Sequence, residues 1–329
     1  MTPLTVIVPI YNVSGFLAHC LTTIQNQTLS NFKCLMVDDG STDNSTAIAQ
    51  KFCSDPRFEL IKTKHYSLAH AQNTALAHVQ SEYVTFCDGD DYWDENAYSK
   101  FQPFFKYHPD MIISDMYFEY PHNDIQKRNF KLPVFMDKQQ LITNFPEIYC
   151  QQLMFYDTNK VYRTATVKDI KFQNTTVGLD TMYNYEVFAR CQSIYFNPRP
   201  YYHHLQRCGS LVNHFDPYRL TIREKETQAL EKLLNCWQPP YAQKLVNVDW
   251  FTNLLFSVKN TYMPTHEGKL IPQKQRLQRL KEILQKCLPH IKIQYLTSKE
   301  KKLITYLQEL TDNDQLLVDT WSPTVKKMY

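Results

Sequence analysis

Glycine is scarce in this chain: six in 329 residues. A sequence so poor in glycine cannot cradle phosphates on a glycine-rich loop, and neither a G-x-G-x-x-G nor a P-loop pattern occurs. Nine cysteines are present, but none forms a C-x-x-C pair, which excludes the common zinc and dithiol redox motifs. Several sit inside apolar runs, where a free thiol behaves as a small hydrophobe, and a reducing compartment is expected. No apolar run reaches about 18 residues, so no membrane span is expected. Leu4 to Ile10 is too short for a signal peptide and has no basic segment before it. The expectation is a cytoplasmic protein.

What is present is core-forming material. Hydrophobic residues make up 43% and aromatics 14%, enough for one large domain or two ordinary ones. The net charge of +3 hides an asymmetry. Residues 216–329 hold 18 Lys and Arg against 12 Asp and Glu, while the remainder nets −3.

The first 95 residues alternate strand and helix. Thr5-Val6-Ile7-Val8 reads as a short buried parallel strand, and Phe32 to Val37, Phe58 to Ile61 and Tyr83 to Cys87 as three further strands. Pro9 is expected to end the first. Helices fall between them, opened by Ser14, by Ser41 or Thr42, and by Ser67. Strand–helix–strand repetition of this kind gives a parallel sheet with right-handed crossovers. The middle, 96–215, is mixed: Ile112, Ile113 and Met116 to Tyr120 read as strand, Leu179-Asp180 leads into a helix, and Ile194 to Phe196 is a strand followed by Pro198 and Pro200. From about 217 the leucine spacing turns helical, interrupted at Pro239-Pro240 and Pro264.

Tyr83 to Trp93 carries the chemistry. A β-branched and aromatic run ends in Asp88-Gly89-Asp90-Asp91, three carboxylates in four residues. A buried strand cannot hold them unpaired, so they emerge at its carboxyl end, where open α/β sheets bind ligands. Clustered hard oxygens suit Mg²⁺ or Mn²⁺ holding a phosphate. A polar turn capping the next helix is the plain alternative, since Asp-Gly is a common turn pair.

Three motifs in order decide between them. Thr5-Val-Ile-Val-Pro-Ile-Tyr-Asn12, Val37-Asp-Asp-Gly-Ser-Thr-Asp43 and Phe86-Cys-Asp-Gly-Asp-Asp-Tyr-Trp93 resemble the signatures of family 2 glycosyltransferases of the GT-A fold. The resemblance is dense over 1–95, looser over 96–215 and absent beyond. It implies an α/β protein with a Rossmann-like nucleotide-binding sheet: residues 1–95 form the donor half, 96–215 the acceptor half, and 216–329 a helical basic extension. It implies an enzyme moving a sugar, with inversion, from a nucleotide donor, usually UDP-linked, to a hydroxyl of a glycan on a lipid, polymer or protein. Asp39 would contact the uracil, with Pro9 and Tyr11 as pocket wall. Asp88 would meet the ribose or the metal, and Asp90, with Asp91, the cation. Asp180 matches the place of the catalytic base. Tyr201-Tyr202-His203-His204, Arg207 and Ser210 resemble a later cluster in which Arg207 would meet the donor and His204 the metal.

The departures are specific. The family commonly has Ala-Arg-Asn where this chain has Ala71-Gln72-Asn73, and Tyr66 stands near a usual glycine. Leu179 replaces the Glu that often precedes the base. These motivate a rival expectation, a catalytically weak sugar-binding or assembly module serving a partner transferase. Asp180 could also be an N-cap alone, and His203 and His204 structural groups. Residues 259–302 hold 11 Lys and Arg against 3 Glu. That stretch is expected to present a solvated face or a homo-oligomer contact, with peripheral binding to an anionic membrane at the inner face of the plasma membrane as the sharper alternative. Nucleic-acid binding is not expected, because aromatics are not interleaved among the basic residues.

Overall fold

The structure, a computed structural model, describes residues 2–127, 130–206, 214–310, 314 and 317. It divides into two compact units: Met1–Thr175 with Leu179–Gln206, and Thr176–Gly178 with Arg207–Tyr329.

The first unit is built on one mixed sheet. In chain order it contains β1 (Leu4–Ile10), α1 (Ser14–Gln25), β2 (Phe32–Asp38), α2 (Ser45–Phe52), β3 (Phe58–Lys62), α3 (Leu68–His78), β4 (Tyr83–Phe86), β5 (Tyr92–Trp93), α4 (Ala97–Phe105) and β6 (Met111–Tyr120). Then follow β7 (Asp124–Lys127), β8 (Phe135–Asp137), α5 (Lys138–Cys150), β9 (Lys160–Arg163), α6 (Thr164–Val167), α7 (Leu179–Arg190) and β10 (Ser193–Leu205). The strand order is β3-β2-β1-β4-β9-β6-β10-β5, with β7 on β6 and β8 on β10. The expected α/β, GT-A type sheet is thus present, and the first four strands are parallel.

Continuous apolar runs make the centre. All seven residues of β1 are buried, because both of its faces are covered. Leu4, Val6, Val8 and Ile10 share a core cluster with Leu17, Cys20, Leu21 and Ile24 of α1. Each such aliphatic side chain contributes roughly 1.5–3 kcal/mol of burial.

Three prolines behave differently from expectation. Pro9 does not end β1; it pairs with Val37 of β2. What stops there is the ladder to β4, whose last bond runs from Cys87 N–H to Ile7 C=O. Pro9 is the next residue of β1 facing that side, and it has no N–H to continue the ladder. Cys87 and Asp88 are therefore released from the sheet. Pro198 and Pro200 lie inside β10 and coincide with register shifts between Asn197 and Tyr202.

Two expected caps also moved. Val13, not Ser14, is the N-cap of α1, because the Ser14 N–H donates to Asp43 Oδ2 at 3.0 Å. α2 starts at Ser45, one turn later than Ser41 or Thr42 would place it. Ser67 does cap α3, accepting from His70 N–H at 3.2 Å.

The second unit is helical. α8 (Arg219–Trp237) stops before Pro239, α9 (Ala242–Thr261) before Pro264, and α10 (Gln273–Cys287) and α11 (Ser298–Glu309) follow. Leu254, Val258, Leu280, Ile283, Cys287 and Leu307 lie in its core. Within the basic stretch, Arg276 pairs with Asp314 at 2.7 Å and Lys286 with Glu224 at 3.2 Å. Among the described residues no helix is long and apolar enough to cross a membrane.

Candidate active site

The carboxyl ends of β1, β2 and β4 converge, and the loops that follow them are locked together. Asn12, in the left-handed region at φ 51°, accepts at Oδ1 from Thr42 N–H at 2.8 Å, while its own N–H donates to Ser41 Oγ at 3.1 Å. Asp38 is buried and serves the loop, accepting from Ser41 N–H at 3.0 Å and from the Thr46 hydroxyl. Asp39 points the other way. Its carboxylate accepts from the Thr63 hydroxyl at 3.1 Å, from Tyr66 N–H at 3.1 Å and from His65 Nδ1 at 2.9 Å. The Tyr11 ring lies flat on the His65 ring, centroids 3.9 Å apart and planes 9° apart.

At the end of β4 the three acids form a compact group. Among the described residues, one ligand oxygen each from Asp88, Asp90 and Asp91 can lie within 4.8 Å of the others. Their roles separate. Asp91 is 2% exposed and accepts from the Tyr202 hydroxyl at 2.7 Å, His204 Nδ1 at 2.8 Å and Leu205 N–H at 2.8 Å. Tyr202 in turn accepts from Asp88 N–H at 3.1 Å. Asp91 thus ties the end of β10 to the acidic turn, while Asp88 and Asp90 are half-buried. Burial pushes the Asp88 carboxyl well above its ordinary range, reinforced by Asp91, Asp157 and Asp90, with His204 opposing. Burial disfavours a charged His204, but Asp91 beside it prevails and its pKa is raised. Crowded, partly desolvated carboxylates of this kind take up a proton or gain a counter-charge, and an all-oxygen donor set fits Mg²⁺ or Mn²⁺. His204 is not part of the converging group, and its Nδ1 is engaged with Asp91.

Asp180 stands in the first turn of α7, half-buried. It is linked to the acids of β4 through a residue that no motif flagged, Asp157. That carboxyl is 2% exposed and held well above its ordinary range by burial and then by Asp180. Asp157 in turn raises Asp88. Gln72, in the place of the missing arginine, donates its Nε2 to Asp157 Oδ2 at 2.7 Å and is 1% exposed. Leu179 is 5% exposed. Arg207 and Ser210 lie outside the described residues.

The aromatic pair after the acids mainly packs. Trp93 is 1% exposed, edge-on to Tyr98, Phe101 and Tyr202. Tyr92 stacks on His203 at 4.2 Å and donates its hydroxyl to Glu119 at 2.6 Å. His203 bridges Glu119 and Asp94 at 2.6 and 3.1 Å.

The glycosyl transferase family 2 model matches residues 5–170. The chain belongs to that family. It is 29% identical over 217 residues to glycosyltransferase GlyA of Streptococcus pneumoniae, a stretch covering 63% of this chain but 31% of that relative. Among solved structures, S. aureus TarS 1–349 in complex with UDP-GlcNAc is similar at a TM-score of 0.69 and 20% identity, over 99% of this chain and 91% of that one. Mannosyltransferase PcManGT from Pyrobaculum calidifontis, in complex with GDP-Man and Mn²⁺, is similar at a TM-score of 0.50 and 14% identity, over 93% of this chain and 84% of that one. At these identities the two structures establish the GT-A fold.

Proposed function

We propose that this chain transfers a sugar, with inversion, from a UDP-linked donor to a hydroxyl of a glycan acceptor. The observation that carries the reading is the group Asp88, Asp90 and Asp91 at the end of β4, flanked by the Asp39–Tyr11 slot at the ends of β1 and β2. In this reading Tyr11 and Pro9 wall the nucleobase and Asp39 accepts its N–H. Asp90 and Asp88 would hold a divalent cation beside the donor diphosphate, and Asp91 fixes the turn that presents them. Arg207, outside the described residues, stays a candidate for the donor phosphates on the sequence resemblance alone. When bound, the cation neutralises charge developing on the departing diphosphate as a Lewis acid. The TarS structure solved with UDP-GlcNAc and the PcManGT structure solved with Mn²⁺ support a nucleotide sugar and a metal.

Asp180 is the proposed base. An ordinary carboxylate is ionised at neutral pH and accepts the proton as the acceptor oxygen bonds to the anomeric carbon. The bond from that carbon to the diphosphate oxygen breaks in the same displacement, and UDP leaves. A second reading, a sugar-binding module with little turnover, draws on Gln72. Its amide is committed to Asp157, so α3 supplies no cation there. Nucleotide release from a panel of UDP-sugars with Mn²⁺ separates the two. Turnover with at least one donor supports transfer; donor binding without turnover supports the module.

A further inference from the structure

The Asp39 carboxylate is the group a pyrimidine N–H would seek, yet its side chain is only 3% exposed. Thr63, Tyr66 and His65 all bond it, and of these the His65 side chain, itself 52% exposed, lies on the Tyr11 side. The imidazole makes both contacts that a pyrimidine would make in this slot. It lies flat on Tyr11 at 3.9 Å, which leaves no room for a second ring between them. It also donates Nδ1–H to Asp39 Oδ2 at 2.9 Å. A base inserted between two rings would need about twice that separation, so base and imidazole cannot share this face of Tyr11.

We propose that His65 is a resident competitor for the nucleobase: it occupies the slot in the free protein and must swing out when the donor enters. This rests on the reading of Asp39 and Tyr11 as the base-binding pair. The backbone of residue 65 does not take part in the exchange. Its N atom would lie 2.6 Å from a Cβ at Gly40, and the Tyr66 N–H is anchored on Asp39 at 3.1 Å to both oxygens. Only the side chain is free to turn, into the solvent that already bathes half of it. His70 Nδ1, 3.9 Å from Asp39 Oδ1, stays on the helix side of the carboxylate.

The exchange is contact for contact. Each stacking and N–H···O interaction gained by the base replaces one lost by the imidazole, so the base adds little net affinity. Donor affinity is then carried mainly by the diphosphate and its cation. Removing the imidazole opens the slot in advance, which is pre-organisation of the site.

Calorimetric titration of UDP in the presence of Mg²⁺ tests this on wild type, His65→Ala and His65→Asn. The expected result is a Kd about tenfold lower for His65→Ala, equivalent to about 1.4 kcal/mol, with His65→Asn between the two because it keeps a donor but no ring. A second readout follows the His65 imidazole resonances in wild type during the same titration. They should move away from the ring-current position under Tyr11 as UDP is added. Equal or weaker UDP binding by both variants, with the His65 resonances unmoved, overturns the competitor while leaving the donor reading intact. Absence of UDP binding in all three proteins overturns both.

Discussion

Replacing Asp91 should damage the fold more than replacing its neighbour Asp90, although both belong to one acidic run. Asp91→Ala removes the acceptor for three donors: the Tyr202 hydroxyl, His204 Nδ1 and the Leu205 N–H. Tyr202 is fully buried, so its hydroxyl is left without water, at a cost of about 1–3 kcal/mol. Leu205 and His204 are partly exposed and recover part of their loss from solvent. Removing one charge from the cluster gives some relief, since Asp91 raises the Asp88 pKa. The net expectation is a loss of about 2–3 kcal/mol. Asp90→Ala relieves the same repulsion without taking the acceptor from Tyr202 or Leu205, so it should cost clearly less than Asp91→Ala. Urea titration read by hydrogen exchange on peptides from β4 and β10 reports on this unit alone. Asp91→Ala within about 0.5 kcal/mol of wild type, or an equal loss in Asp90→Ala, would refute the assignment of Asp91 as the tie between β10 and the acidic turn.

Two further expectations concern structure away from the acids. Asp55 is bonded by Arg57 Nε and Nη2 at 3.0 and 2.7 Å, and these bonds hold its carboxyl well below the ordinary range. A depressed folded-state pKa adds stability above the unfolded value of about 3.9, and that stability is lost as pH falls through the folded value. Asp55→Asn should therefore cost about 1 kcal/mol at pH 7, with the gap to wild type closing between about pH 5 and pH 2 in chemical denaturation; a pH-independent gap would count against it. In the second unit, Gly178 has φ +73°, and a Cβ there would stand 1.8 Å from Glu226 Oε1. Glu226 is buried and paired with Arg223, so it cannot yield cheaply, and Gly178→Ala should cost about 2–4 kcal/mol in thermal unfolding. A loss under about 1 kcal/mol would mean the loop relaxes.

How far the sequence reached depended on whether a feature was local. The first four strands were legible because each is a mainly apolar run, unbroken in the central β1 and β4, as burial on both faces requires. β5, β7, β8 and β9 were not, since two to four residues carry no readable period. Proline was read as a stop in both Pro9 and Pro198-Pro200, whereas a strand tolerates it where no ladder bond is owed or where the register slips. The acidic run was legible as a cluster, but the separate task of Asp91 was not. It depends on Tyr202, His204 and Leu205, more than a hundred residues away. Asp157 lies in a stretch without periodicity, and its meaning comes only from the Gln72 amide bonded to it and the charge of Asp180 acting on it. His65 on Tyr11 is likewise a contact across the sheet end that no spacing announces.

The central claim is that Asp180 and the Asp88–Asp90 pair perform metal-assisted sugar transfer. The most direct measurement is nucleotide release with a turned-over UDP-sugar donor and Mn²⁺, on wild type, Asp180→Asn and Asp90→Ala matched for fold by circular dichroism. The account predicts kcat falling about 10²–10⁴-fold in Asp180→Asn with the donor Kd nearly unchanged, and loss of Mn²⁺-dependent donor binding in Asp90→Ala. Wild-type turnover that survives both substitutions would contradict it.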